Sequence, residues 1–380
     1  MNKFSINRLW ILILMFGCLF VKVEALMQKP RSLVVKSNQI YILDGAKRTW
    51  MFGLQKYDST GHHLSTINTI MLHFDWGEIK RNESVLSPAE ILKKYSDVVQ
   101  YLRIESSAKA ILDKVFYPDY ICNGYQNNLY AIGVGTDTGS RCRAAIIDSN
   151  DGHTILAFGE FTREDTQYGL WNPLGIAADS QGNMYIANQG PYCVKKFDKN
   201  GQYVTKWGKR GNKDGEFANP VAIAVDKRND NVYVVDSYAS WNTMPQKRVQ
   251  KFTKDGRFLG KWGEHFGLDW VSMEYIPISY PVLTNISDLN IPAGIAIDSK
   301  GNVYVVESGK DGVSKFDENG HLILSFGGTG SGLGQFNMPG TLNVPVGIAI
   351  DKDDNVYVCD EGNDRVQKFN ENGKFLMEIK

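Results

Sequence analysis

The sequence is poor in the residue types that most often carry chemistry. It has six histidines in 380 residues, and no Gly-x-Ser-x-Gly elbow, no His-Glu-x-x-His pair and no phosphate-binding glycine loop. The common serine-hydrolase, zincin and nucleotide sites are therefore excluded at the level of motif. Net charge is missing too: 42 basic residues balance 42 acidic ones. That argues against a nucleic-acid binder relying on overall positive charge. The apolar run Leu9–Val21 stops well short of the ~20 residues a spanning helix needs. Preceded by Lys3 and Arg8 and followed by Val23-Glu24-Ala25, it reads as the core of a secretory signal over residues 1–25. A lipidated Cys18 would end such a run, and here the run continues past it. Membrane contact is expected only if this segment stays uncleaved, so the chain is expected to be secreted or held in the cell envelope or periplasm.

What is present is a core-forming composition and a repeat. Hydrophobic residues make up 43% and aromatics 12%, enough to bury a large core in one globular body. The last 36 residues, Pro345–Lys380, contain four short apolar runs, Ile348–Ile350, Asn355–Val358, Val366–Phe369 and Phe375–Ile379. They are separated by Asp-Lys-Asp-Asp-Asn, Asp-Glu-Gly-Asn-Asp and Asn-Glu-Asn-Gly, residues that supply turns. The same plan begins at Pro173, Pro220 and Pro292, with an insertion from His265 to Ile291 in the middle interval. A four-stranded unit of this kind cannot bury both its faces alone and stacks on copies of itself. The pattern P-x-G-I-A-x-D, G-N-V-Y-V, R-V-Q-K-F, G-x-F-L resembles the NHL repeat, and the resemblance implies a β-propeller.

Two degenerate units complete the count. Ser32–Val35, Gln39–Asp44, Met51–Tyr57 and Leu64–Asn68 give one, and Tyr120–Asn123, Asn128–Val134, Arg143–Asp148 and His153–Phe158 the other. Between them Ser87-Pro88-Ala89-Glu90 opens an amphipathic pattern, which predicts a helical insertion. The expected fold is all-β, a six-bladed propeller with one helical insertion between blades 1 and 2. Its blades span 26–74, 118–160, 161–209, 210–263, 292–328 and 329–380, with insertions at 75–117 and 264–291.

Four cysteines remain after signal removal, Cys122, Cys142, Cys193 and Cys359, and allow three connectivities. Alignment of the repeats brings Cys142 and Cys193 to the same end of the third strand in adjacent units, the one pair considered; buried free thiols are the other reading. Asn82-Glu-Ser84 and Asn285-Ile-Ser287 are N-glycosylation sequons.

Antiparallel order puts the first-to-second and third-to-fourth turns on one side of the ring and the second-to-third turns and interblade connections on the other. The first side carries tight Asp-x-x-Gly-Asn and Asp-x-Asn-Gly turns, which read as Asx turns rather than calcium loops. The second side carries both insertions and a long loop expected over Ser237–Arg248. Aromatic residues Trp50, Tyr192, Tyr238 and Trp241 fall there beside Arg48, Asp236, Arg248, Glu307, Lys310, Asp360, Asp364 and Arg365. Aromatics beside charged groups suit a peptide or glycan, although Arg248 and Arg365 also read as structural partners of nearby acids.

A lyase that resembles NHL proteins holds zinc with loop-face histidines. Here His62, His63, His153 and His321 follow turns of the opposite side, His73 lies in or beside an outer strand, and His265 alone remains, short of a three-ligand site. A lactonase-like calcium site would need acids on the inner strands, which read Gly-Ile-Ala-Ile. The expected function is a monomeric, cofactor-free and metal-free binding scaffold for a protein, peptide or glycan, with no nucleic acid. The alternative is a hydrolase or lyase using Asp236, Glu307, Asp360 and Arg365 at the channel mouth.

Overall fold

A computed structural model describes residues 30–45, 52–68, 120–126, 128–133, 144–150, 154–160, 162–240, 243–263, 289–338 and 346–380. The segment 1–25, the expected helical insertion 75–117 and nearly all of the 264–291 insertion lie outside them. Among the described residues 24 strands form six sheets, each of four strands consecutive in sequence. Blade 1 contains β1 (Pro30–Lys36), β2 (Gln39–Gly45), β3 (Phe52–Asp58) and β4 (His63–Asn68), and blade 2 contains β5 (Tyr120–Asn123), β6 (Asn128–Ile132), β7 (Ala144–Asp148) and β8 (Thr154–Phe158). Blade 3 is β9 (Pro173–Ala178), β10 (Met184–Asn188), β11 (Cys193–Phe197) and β12 (Tyr203–Trp207). Blade 4 follows with β13 (Pro220–Asp226), β14 (Asn231–Ser240), β15 (Thr243–Phe252) and β16 (Phe258–Trp262). Blade 5 is β17 (Pro292–Ile297), β18 (Val303–Glu307), β19 (Gly312–Phe316) and β20 (Leu322–Gly327). Blade 6 is β21 (Ile348–Ile350), β22 (Val356–Asp360), β23 (Arg365–Phe369) and β24 (Phe375–Ile379). The degenerate first two blades thus share the architecture of the four clear ones.

The inner strands close the ring: β1 packs against β5 and β21, β5 against β9, β9 against β13, β13 against β17, and β17 against β21. Middle strands β10, β18 and β22 are buried along their whole length, whereas outer strands β12 and β16 alternate half-buried with exposed. That gradient follows from position, since a middle strand has a neighbouring blade on each face and an outer strand has water on one.

The repeat's fixed residues are the ones that join blades. In blades 3, 4 and 5 the second-strand tyrosine (Tyr185, Tyr233, Tyr304) is fully buried. Each lies under a third-strand lysine, Lys196, Lys251 or Lys315, at 5.2, 5.3 and 4.9 Å from the ring centroid. The same ammonium donates to a turn carbonyl of the next blade, that of Lys254, Glu318 or Glu371, at 3.1, 3.1 and 3.2 Å. Each lysine thus meets a ring face and a carbonyl while its stem covers apolar surface, and Lys196 and Lys315 also reach Asp255 and Asp298 at 3.5 Å.

One element departs from expectation. Within Ser237–Arg248, expected as a loop, the described residues 237–240 and 243–248 continue the second and third strands of blade 4, pairing Ser237 with Lys247, Tyr238 with Gln246 and Ser240 with Thr243. The register shifts between Tyr238 and Ser240, opposite Pro245. A bulge is one of the few places where a strand tolerates proline, because no ladder donor is required there.

Candidate functional site

The two faces of the ring differ in how their polar groups are used. On the face of first-to-second turns, Asp179 Oδ1 accepts the amides of Gln181 and Asn183, while Oδ2 accepts from the Asn183 side chain and the Tyr185 hydroxyl. Asp298 and Asp351 repeat this with Asn302 and Tyr304, and with Asn355 and Tyr357. Each carboxylate is filled by its own turn, which accounts for the acids without a cation. Among the described residues no group of three or more potential ligands could hold a metal ion.

Burial pushes the Asp351 carboxyl up, but the bonds from Asn355 and Asp353 outweigh it and hold the group below its usual range. Burial likewise pushes the Asp226 carboxyl up, and the Arg228 contacts outweigh it and hold the group below its usual range. Asp58 is held at about 2, first by the Thr60 hydroxyl and then by the His62 amide. A folded-state pKa below the unfolded value contributes stability that is complete above the unfolded pKa and lost as pH falls through the folded one. The urea midpoint should stay near its neutral value down to about pH 5 and then fall steeply below about pH 4. Tryptophan fluorescence across a pH series checks this; a midpoint that rises on acidification would contradict it.

On the opposite face most of the expected site residues are structural. Asp236 and Arg248 are both 0% exposed and form an ion pair of 3.1 Å. Asp236 Oδ1 also accepts the amides of Ala218 and Asn219, and Arg248 donates to the carbonyls of Asn212 and Glu216, each at 2.8 Å. In blade 6 Arg365 bonds Asp360 at 2.7 Å, Glu378 at 3.0 Å and the carbonyls of Gly332 and Gln335. Glu307 is 1% exposed, accepts the Asn290 amide and pairs with Lys310 at 2.8 Å. In blades 4, 5 and 6, then, an acid at the end of the second strand holds the backbone of the incoming interblade segment. Asp364 sits just beyond the short 3-10 turn of blade 6, in the left-handed region at φ 50°.

Arg48, Trp50 and Trp241 lie outside the described residues, as do Cys142 and the sequon asparagines Asn82 and Asn285. Tyr238 is placed by its backbone in β14. Cys193 is 1% exposed, and burial pushes its thiol up to about 12. Of the expected ligand residues among those described, Lys310 and Asp364 are exposed and Tyr192 is half-buried.

Tyr192 also has company that was not expected. The Arg210 guanidinium lies over its ring at 5.4 Å, and the Arg163 guanidinium lies over Trp171 at 5.7 Å. Both arginines are exposed and come from interblade segments, 159–172 and 208–219. The two aromatics flank one turn, Gln189–Tyr192: Trp171 lies against Gly190, where an added Cβ would come within 2.3 Å of its ring. A chain of side-chain amides, Asn172 to Gln189 to Asn219, continues from this turn to the Ser237 carbonyl.

The NHL repeat family matches residues 342–369, and a family described as a 6-bladed β-propeller matches residues 176–240. The chain is similar to Protein brain tumor of Drosophila melanogaster, 25% identical over 170 residues, which is 45% of this chain and 14% of that protein. It is similar to NHL repeat-containing protein 3 of Homo sapiens, 25% identical over 223 residues, 56% of this chain and 52% of the other. The chain thus spans from about a seventh to about half of these relatives. A solved protein of unknown function from Bacteroides thetaiotaomicron VPI-5482 superposes with a TM-score of 0.54 at 12% identity, covering 91% of this chain and 70% of that one, a likeness of fold alone. Sheet order, repeat residues and these matches agree: the chain is a six-bladed β-propeller whose repeats are similar to the NHL repeat.

Proposed function

We propose that the protein is an exported, non-catalytic binding scaffold that takes a protein, peptide or glycan on the face bearing its second-to-third turns and interblade segments. The observation that carries this reading is the contrast between the faces. On the turn face the aspartates are consumed by their own turns. The opposite face presents exposed arginines stacked on aromatics and the lengthened hairpin of blade 4. Rigid scaffolds with variable loops place recognition on such a face. The four residues of the catalytic alternative favour the scaffold too: Asp236, Glu307, Asp360 and Arg365 are 0%, 1%, 0% and 3% exposed and hold interblade backbone. A carboxylate occupied in this way is poorly placed to act on a substrate.

The test is a peptide and glycan array probed with the purified protein, together with elemental analysis of the same sample by plasma mass spectrometry. Binding that is lost with loop-face substitutions, in metal-free protein, is the expected result. A stoichiometric metal, or turnover of lyase or lactone substrates, would sink the scaffold reading.

A further inference from the structure

The Gln189–Tyr192 turn of blade 3 has a backbone conformation its sequence does not favour. Tyr192 has φ 57°, in the left-handed region, where a bulky side chain is a genuine outlier. The equivalent residues of blades 5 and 6, immediately before the third strand, are Asp311 and Asp364, at φ 49° and 50°. Aspartate tolerates this region, and Asp311 uses its carboxylate there to hold Thr329 and the Met338 amide of the adjoining interblade segment. Blade 3 gives up both advantages and displays an aromatic ring instead. Strain kept where a better local residue exists points to a use for the displayed ring.

Charge indicates what the ring is for. Three of the acids nearby are matched by lysines: Asp165 pairs with Lys195 and Lys206, Glu216 with Lys209, and Asp214 with Lys261. Arg163 and Arg210 have no carboxylate partner among the described residues and are held only by their aromatic faces. A guanidinium stacked on a ring keeps its donor edge in water, oriented and unfilled, which suits bidentate capture of a carboxylate. Here two such forks stand on either side of one turn.

We propose that Arg163, Trp171, Tyr192 and Arg210 form a docking subsite for an acidic segment of a partner protein, with each arginine taking a carboxylate and the two rings packing against its side chains. This rests on the loop-face binding reading and specifies it.

Fluorescence anisotropy with a labelled peptide of alternating glutamate and glycine tests it, against an oligolysine peptide and an oligogalacturonate competitor. The glutamate peptide should bind, more weakly as salt is raised, and Arg163→Gln and Arg210→Gln should each weaken it roughly five- to tenfold. Tyr192→Asp restores the residue used by blades 5 and 6, so it should melt no lower than the parent protein yet lose binding to a similar degree. Equal affinity in all three variants, or no binding of the peptide by folded protein, overturns the subsite. Preferential displacement by oligogalacturonate overturns the protein partner in favour of an acidic glycan. An array ligand indifferent to these residues but lost with other loop-face substitutions overturns this subsite and leaves the scaffold reading intact, whereas an array with no loop-face ligand removes both.

Discussion

Arg248→Ala is expected to lower the stability of the protein by about 3–5 kcal/mol, the cost of leaving one partner of a buried ion pair alone. The Asp236 carboxylate it abandons is 0% exposed and would keep only the amides of Ala218 and Asn219. Burial already pushes that carboxyl above its usual range, so loss of the guanidinium favours protonation, and the variant should lose part of its deficit as pH is lowered. The Asn212 carbonyl would lose the Arg248 donor as well, and the Glu216 carbonyl would keep only Gln250, loosening the interblade segment that carries Arg210. Arg248→Lys should recover less than half of the loss, because one ammonium cannot span a carboxylate and two carbonyls at once. Chemical denaturation of the three proteins at neutral pH measures this. A loss below about 1 kcal/mol would mark the pair as solvated, the usual worth of a surface bridge.

Arg365→Ala should cost less. Its partner Asp360 is equally buried, but it also accepts from Asn337, Asn363 and Gln367, so more of its hydrogen-bonding capacity survives.

The six blades were legible because the repeat is written in turn chemistry as well as in apolar runs. Asp179, Asp298 and Asp351 each fill their turns with the residues two and four positions on, a local rule that survives sequence drift. Blades 1 and 2 were readable from strand texture alone, since an inner or middle strand must be apolar whatever the rest of its blade becomes. The long hairpin of blade 4 was not, because Pro245 argues against a strand and only the register shift at Tyr238 and Ser240 shows how it is accommodated.

The candidate site divides in the same way. Asp236, Glu307 and Asp360 stood out as charges at a channel mouth, but a sequence cannot say whether a charge faces solvent or a backbone amide. Arg163 and Arg210 were passed over because each meets its ring across an intervening turn or strand. The clearest sign of that cluster, the left-handed φ of Tyr192, is a backbone angle that its residue type would not suggest.

Among the described residues each sheet is drawn from four consecutive strands, so there the seam between blades 6 and 1 is held by side-by-side packing. Gly347 lies at that seam. An added Cβ would meet the Arg31 carbonyl oxygen and Ser32 Cα of blade 1 at 2.9 Å each, and Cys359 Sγ at 2.7 Å. Two of the three are backbone atoms of β1, which cannot give way without moving the strand. Blade 4 carries Ala222 at this position of the repeat, so a methyl is admitted where neighbouring strands allow it, and the glycine here answers to distance rather than to a left-handed φ. At the outer end of the seam, Met377 and Ile379 pack on Gly61 of blade 1, where the junctions of blades 3 with 4 and 4 with 5 use Trp207 on Gly256 and Trp262 on Gly320. Gly347→Val should therefore destabilise the protein by about 3 kcal/mol through overpacking. It should also make limited proteolysis begin in blades 1 and 6, because local opening starts where packing is weakest. Gly260→Ala, where an added Cβ meets nothing within 4 Å, is the matched control and should change stability by less than about 1 kcal/mol. Equal effects at the two glycines, or first cleavage in blades 3 and 4, would mean that the ring does not close at this seam.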